Sequence, residues 1–260
     1  MALKAGARII SSADAEYPRL LVQTRDDPQI LFVKGRLASS PEKSVAIIGT
    51  REPTEHGKII ARRLTEFFVE DGWSVVSGLA LGWDGIAHEV AVSAGGHTVA
   101  VLAHGLQTIS PKGHTKLAEQ ILESGGALVT EYRMGQGPLP AQFVKRDRTQ
   151  AGLAQGVVMI QSDLKGGSLF ASRAAIEYQR WLSVPYPTPQ DVSRQEPKVQ
   201  ANILLADGAL REKSDLLKCE PGDLERLIVL RSKSDYAQMI HPLALPSPPD
   251  QTPLSQLQLF

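Results

Sequence analysis

Residues 44–88 read SVAIIGTREPTEHGKIIARRLTEFFVEDGWSVVSGLALGWDGIAH. Val45 to Ile48 is an apolar run without polar alternation, the pattern of a parallel strand covered on both faces. It ends in Gly49-Thr50-Arg51, and Pro53 and Thr54 then start a helix, since proline is tolerated in a first helical turn. Ile59, Ile60, Leu64, Phe67 and Phe68 recur at helical spacing until Asp71-Gly72 stops the helix. Val75-Val76 makes a second strand that ends in Ser77-Gly78, and a glycine-punctuated loop leads on to Asp84 and His88. Two strands thus deliver two small, polar turns to one sheet edge. Open parallel sheets hold their ligands at that carboxyl edge, so the expected ligand is one that carries phosphate.

The alternation continues outward from this stretch. Helix is expected from Trp83 to Ala94, strand over 97–103, helix over 115–123 and strand over 127–130. A Gly- and Pro-rich loop, GQGPLP at 135–140, precedes a helix over 141–154 and a strand over 157–161. Gly166-Gly167-Ser168 opens a helix running to about Arg180, and Leu182 to Val184 is read as the last strand. The pattern predicts an α/β fold: a doubly wound, mostly parallel sheet in three layers over residues 44–186. Residues 1–43 read as a lead-in whose strand Ile30–Gly35 caps the sheet edge. Ten of the seventeen prolines lie from Pro185 onward. Residues 187–230 read as an extension with short helices, and 231–260 as a flexible tail.

Composition narrows the function. Lys+Arg and Asp+Glu both number 28, so any nucleic-acid site must be a local patch. The single Cys219 excludes an internal disulfide and a multi-cysteine zinc site, and it fits a cytoplasmic location. No signal-like segment and no membrane-length apolar run is present. The first turn lacks G-x-G-x-x-G, and Ser77-Gly78 stands where a ribose-binding acid belongs, which argues against NAD or FAD. No P-loop motif occurs, the histidines lack metal-ligand spacing, and no cofactor or metal is expected.

The remaining turns mix small residues with cations. Arg51 follows the first strand, Ser77 and Gly78 close the second, and Lys165-Gly166-Gly167-Ser168 enters a helix. A helix start offers unpaired N–H groups and a positive dipole end, which suits an anion; a tight turn with a serine N-cap is the other reading. Phe143-Val144-Lys145-Arg146-Asp147-Arg148 sets an aromatic beside three cations, which suits a stacked base and phosphate contacts. A helix with Phe143 in the core and a solvated charged face would read the same way. Asp84 and His88 are one helical turn apart, spaced for a base and its orienter or for a structural hydrogen bond.

Together these segments resemble the DNA-processing protein A family (DprA, also called Smf). The likeness runs from Tyr17-Pro18 and PQILFVKG at 28–35 through IGTR at 48–51, VVSGLALGWDGIAH at 75–88 and Gly95-Gly96. It continues with TVAVLAHGL at 98–106, GGALVTEY at 125–132, FVKRDR at 143–148, GGSLFASRAAIE at 166–177 and Val184-Pro185. The resemblance implies an extended Rossmann-like fold, single-stranded DNA bound in a pocket at the carboxyl edge, a homodimer, and RecA or another protein as partner in recombination or natural transformation. It implies no established catalysis. Arg51 and Lys165 would hold phosphates, Gly78 and Gly166 to Ser168 would offer backbone donors, Phe143 would stack on a base, and Arg146 and Arg148 would grip the backbone. Asp84 and His88 would brace the pocket. Two departures stand out: Asp147 replaces the family's usual asparagine, and Gly82-Trp83-Asp84 replaces Gly-Ile-Asp. The chain is too short in front for the helical domain that many members carry, and its proline-rich end does not read as a winged helix.

Two rivals remain at this level. One is a nucleotide-cleaving phosphoribohydrolase on a related scaffold, although the P-G-G-x-G-T-x-x-E pattern of those enzymes is missing. The other is a regulatory or defence-associated sensor of nucleotides or DNA that acts through a partner protein.

Overall fold

The computed structural model describes residues 6–240. Its centre is the strand read first, β3 (Ser44–Ile48), buried along its whole length. It lies in a nine-stranded sheet with β1 (Arg8–Ser11), β2 (Ile30–Gly35), β4 (Ser74–Ser77), β5 (Thr98–Val101), β6 (Ala127–Thr130), β7 (Gly156–Met159), β8 (Trp181–Pro185) and β9 (Leu227–Leu230). The order across the sheet is β1-β2-β6-β5-β4-β3-β7-β8-β9. All pairings from β6 to β9 are parallel; β2 pairs antiparallel with both β6 and β1. The expected doubly wound, mostly parallel sheet is therefore the observed one.

Period-two alternation in β3 explains the three layers. Val45 and Ile47 point to the face covered by α2 (Glu55–Glu70) and α3 (Trp83–Ser93), where Leu64, Phe68 and Trp83 meet them. Ala46 and Ile48 point to the face covered by α5 (Pro140–Gly152) and α6 (Ser168–Glu177), among Ala151, Leu169 and Ala175. A further helix, α4 (Thr115–Glu123), packs Leu117 and Ile121 over β5 and β6, and a single-turn helix, α1 (Arg19–Val22), precedes β2 in the chain. Thr54 caps α2 by accepting the Gly57 N–H at 3.1 Å, so the chain turns into the helix directly after the β3 exit loop.

Both sheet margins extend beyond expectation. Ile30–Gly35 does not form the edge, because Arg8–Ser11 pairs outside it. The sheet also continues past residue 186: Leu227–Leu230 pairs parallel with β8 as a ninth strand. Each of these strands is four residues long, too short for a periodic signal, and exists because a neighbouring strand supplies its hydrogen bonds. The segment between β8 and β9 includes the helices Gln200–Asp207 and Leu210–Leu217, whose Ala201, Leu205 and Leu217 join the core over α6. Buried Asn202 ties this segment to the sheet. Its amide donates to the Ile160 carbonyl at 2.9 Å and the Pro185 carbonyl at 3.1 Å, and its oxygen accepts the Ser162 N–H at 3.1 Å. The tail expected at 231–260 lies mostly outside the described residues. Its first part is folded, with a short helix at Ala237–Ile240 and Met239 buried. No helix among the described residues is long and apolar enough to cross a membrane.

Candidate functional site

The strand order reverses direction at β3. The chain runs from β3 outward to β4 and later returns to β7 on the other side, so the loops leaving β3 and β7 part and open a crevice. A cleft of about 440 Å³ lies there. Ile48 to Glu52 form one wall, and Asp163 with Gly166 to Ser168 form the opposite one. Ala80, Leu81 and Asp84 close one end, and Arg146, Asp147 and Gln150 of α5 line the interior.

Two glycines shape this ground because neighbouring side chains occupy the space of their Cβ. At Gly49 a Cβ would overlap the Trp83 indole, so the β3 exit lies flat on the start of α3. At Gly78 it would coincide with the Arg146 guanidinium. Gly78 thus serves as a notch for a cation of the protein.

Arg146 is buried and surrounded. Its Nη1 donates to Asp84 Oδ2 at 3.2 Å, and its Nε faces Asp147 Oδ1 at 3.1 Å. With the Gln150 amide oriented to satisfy the network, its oxygen accepts from Nη1 at 2.9 Å and Nε at 3.1 Å. Asp84 also accepts the Ala80 N–H at 3.2 Å, which fixes the loop after β4. Burial pushes the Asp147 carboxyl up to about 7; Arg146 opposes that shift and the Asp84 charge adds to it.

Phe143 stands half-buried between two guanidinium groups, with Arg51 Cζ 5.4 Å and Arg146 Cζ 5.8 Å from the ring centroid. Arg51 is exposed and borders the cleft on one side and a smaller hollow of about 150 Å³ on the other. Phe143, Gly78 and His104 also line that hollow.

The turn before α6 is bound internally at its front. Asp163 accepts the Lys165 N–H at its side chain (2.7 Å) and the Gly166 N–H at its carbonyl (3.2 Å). Gly167 is the N-cap, with no side-chain cap, and the Ser168 hydroxyl is buried and donates to Ser162 Oγ at 2.8 Å. The backbone N–H groups of Gly167 and Ser168 make no hydrogen bond among the described residues. Both residues, at the positive end of a ten-residue helix, line the cleft.

The other residues singled out by sequence lie elsewhere. Ser77 is fully buried and donates to the Ile47 carbonyl at 2.7 Å, a strand-to-strand tie. Lys145 is exposed and pairs with Glu131. Arg148 turns to the far side of α5. There its Nε donates to Asp26 at 2.8 Å and its Nη2 to Glu177 at 2.8 Å, with Tyr178 beneath the guanidinium. Lys165 is exposed and does not line the cleft. His88 is buried on α3 where the helix meets β5, its Nδ1 2.7 Å from Thr98 Oγ1; burial lowers its pKa to about 4. It makes no hydrogen bond with Asp84 among the described residues, despite the one-turn spacing.

Helical spacing alone sorts the 143–148 run. Phe143, Arg146, Asp147 and Gln150 stand at i, i+3, i+4 and i+7 and share one face, whereas 145 and 148 point elsewhere. Lys198 gave no sequence signal, yet it reaches the cleft and pairs with Glu52 at 2.6 Å. Three cations (Arg51, Arg146, Lys198) therefore share the cleft with four carboxylates (Glu52, Asp84, Asp147, Asp163).

Comparison with known proteins agrees with this architecture. The Smf protein of Escherichia coli is 40% identical over 169 residues, which cover 65% of this chain and 45% of that protein. The DNA processing protein DprA of Bacillus subtilis is 35% identical over 176 residues, 67% of this chain and 59% of the relative. The chain thus spans about half the length of the relatives it matches. Two solved structures superpose well. DprA of Streptococcus pneumoniae has a TM-score of 0.65 at 29% identity, covering 77% of this chain and 74% of its own. DprA of Helicobacter pylori, described for its single-stranded DNA binding mode, has a TM-score of 0.66 at 29% identity, covering 78% and 88%. The model of the DNA recombination-mediator protein A family matches residues 8–218, from the first strand to the last helix over α6, and the chain belongs to that family.

Proposed function

We propose that the protein binds single-stranded DNA in the cleft between β3 and β7 and acts as a recombination mediator. The observation that carries this reading is the pairing, in one cleft, of two unpartnered N–H groups at the start of α6 with Arg146 and Arg51 beside Phe143. A backbone phosphate would seat on the Gly167 and Ser168 N–H groups. Arg51 and Lys198 would hold the flanking charge, and Phe143 would take a base on its face once Arg51 swings to phosphate. Lys165, Lys145 and Arg148 would act at longer range or in shaping the site. The DNA-binding mode described for the Helicobacter pylori relative supports this reading. RecA as protein partner, a homodimer, a cytoplasmic setting and a non-catalytic role belong to the same proposal.

Fluorescence anisotropy with single-stranded and duplex oligonucleotides over a salt series tests it. Preference for single strands and a negative slope of log affinity against log salt are expected, because bound phosphates release counterions. Absence of binding at about 50 mM salt would sink the proposal.

A further inference from the structure

Arg146 is the deepest cation of the cleft, and protein groups already surround it. Asp147 faces its Nε, Asp84 accepts from its Nη1, and Gln150 bridges both nitrogens. Two carboxylates around one guanidinium leave an excess negative charge in the same cleft as the Gly167 and Ser168 N–H groups. The two acids are not equivalent. Asp84 also accepts the Ala80 N–H and so holds a loop in place. Asp147 has no backbone donor among the described residues, and its partner there is Arg146 of its own helix. The other groups acting on it are Asp84 from α3 and Arg51 from the β3 exit loop, with Glu52, Asp163 and Lys198 farther along the cleft. Of α6, the uncharged Ser168 and Ala171 line the same cleft.

We propose that Asp147 sets the affinity of the cleft: a phosphodiester engages Arg146 only as Asp147 loses its negative charge by taking up a proton, so DNA and a proton bind together. This rests on the single-stranded DNA reading above. The sign follows from the surroundings. Burial already lifts Asp147 to about 7, and an entering phosphate adds a second negative charge that lifts it further. Affinity is therefore highest below neutral pH and falls as pH rises through and above that value. Each unit of difference between the free and bound states is tenfold in affinity, so a fall of about tenfold is expected between pH 6 and pH 8.5.

Titration calorimetry with an unlabelled oligodeoxyadenylate, in two buffers of different ionisation heat, reads both affinity and proton uptake. The native protein should take up a proton on binding near neutral pH and lose about tenfold in affinity by pH 8.5. Asp147→Asn should bind at pH 8.5 about as tightly as the native protein does at pH 6, with that uptake removed. Asp147→Ser repeats the charge loss with a different shape, and thermal melts verify that each variant folds. An unchanged pH slope in both variants overturns the proposal, as does weaker binding by both at pH 8.5. Native binding that is independent of pH overturns it while leaving the DNA reading intact. No binding by any of the three at pH 6 and low salt overturns both.

Discussion

The central sheet carries a hollow at each end, and the two differ in kind. The amino-edge hollow is the larger, about 560 Å³ against about 440 Å³ for the cleft at the carboxyl edge. Its floor is Val76, Val99 and Leu153, and the Ser44 and Ser74 hydroxyls that line it bond within the protein. Ser74 Oγ lies 2.7 Å from His97 Nδ1, His97 Nε2 lies 3.0 Å from the Arg36 carbonyl, and Ser44 donates to the Pro41 carbonyl. The carboxyl-edge cleft instead holds unpartnered N–H groups and a buried cation between two acids. Size does not separate these places; strand direction does. Parallel strands deliver helix starts to one edge only, and that edge alone receives convergent donors.

The sharpest way to break this contrast is Arg146→Ala. It would strand Asp84 and Asp147 as buried, uncompensated charges, so chemical denaturation at pH 8 should show a loss of about 3–5 kcal/mol. The loss should be smaller at pH 5, where Asp147 is protonated. Asp147→Asn should act in the opposite sense. The folded-state pKa of Asp147 lies above its unfolded value, so the folded protein holds the extra proton and stability falls as pH rises from about 4 to about 7. The variant should gain up to about 4 kcal/mol at pH 8, and the gain should vanish near pH 4.

Binding measurements sharpen the comparison at finer scale. Phe143→Ala should weaken oligonucleotide binding by about 1–3 kcal/mol, chiefly through lost stacking. At the amino edge, Ser74→Ala should cost about 1 kcal/mol of folding stability and leave oligonucleotide affinity unchanged. A clear loss of affinity there would erase the distinction between the two edges. Lys145→Ala, which leaves the nearly buried Glu131 carboxylate without its cation, should cost about 1 kcal/mol of stability and leave oligonucleotide affinity little changed.

Much of this was readable in residues 44–88. The buried run of β3, the capped helix and the small turns point to the sheet and to its carboxyl edge. The run at 143–148 was legible as well, provided helical spacing is applied: 143, 146, 147 and 150 share the cleft face, and Arg148 falls on the side that anchors Asp26 and Glu177. Less legible was what each glycine makes room for. Gly78 reads as a backbone donor, yet its missing side chain is replaced in space by Arg146, a residue 68 positions away.

Fold class and the candidate edge are legible from residues alone, because period-two and helical patterns are local and parallel strands can close in few ways. The sheet margins depend on tertiary pairing, since β1 and β9 become strands through their partners. The charge of the cleft depends on the tertiary structure as well. Lys198 arrives there because Asn202 pins its segment to the ends of β7 and β8, and Glu52 meets it there. Arg146 becomes a shared counter-ion because Asp84 and Asp147 converge on it. Charge in a cleft is a sum over side chains brought together from distant segments, and no stretch of sequence carries that sum.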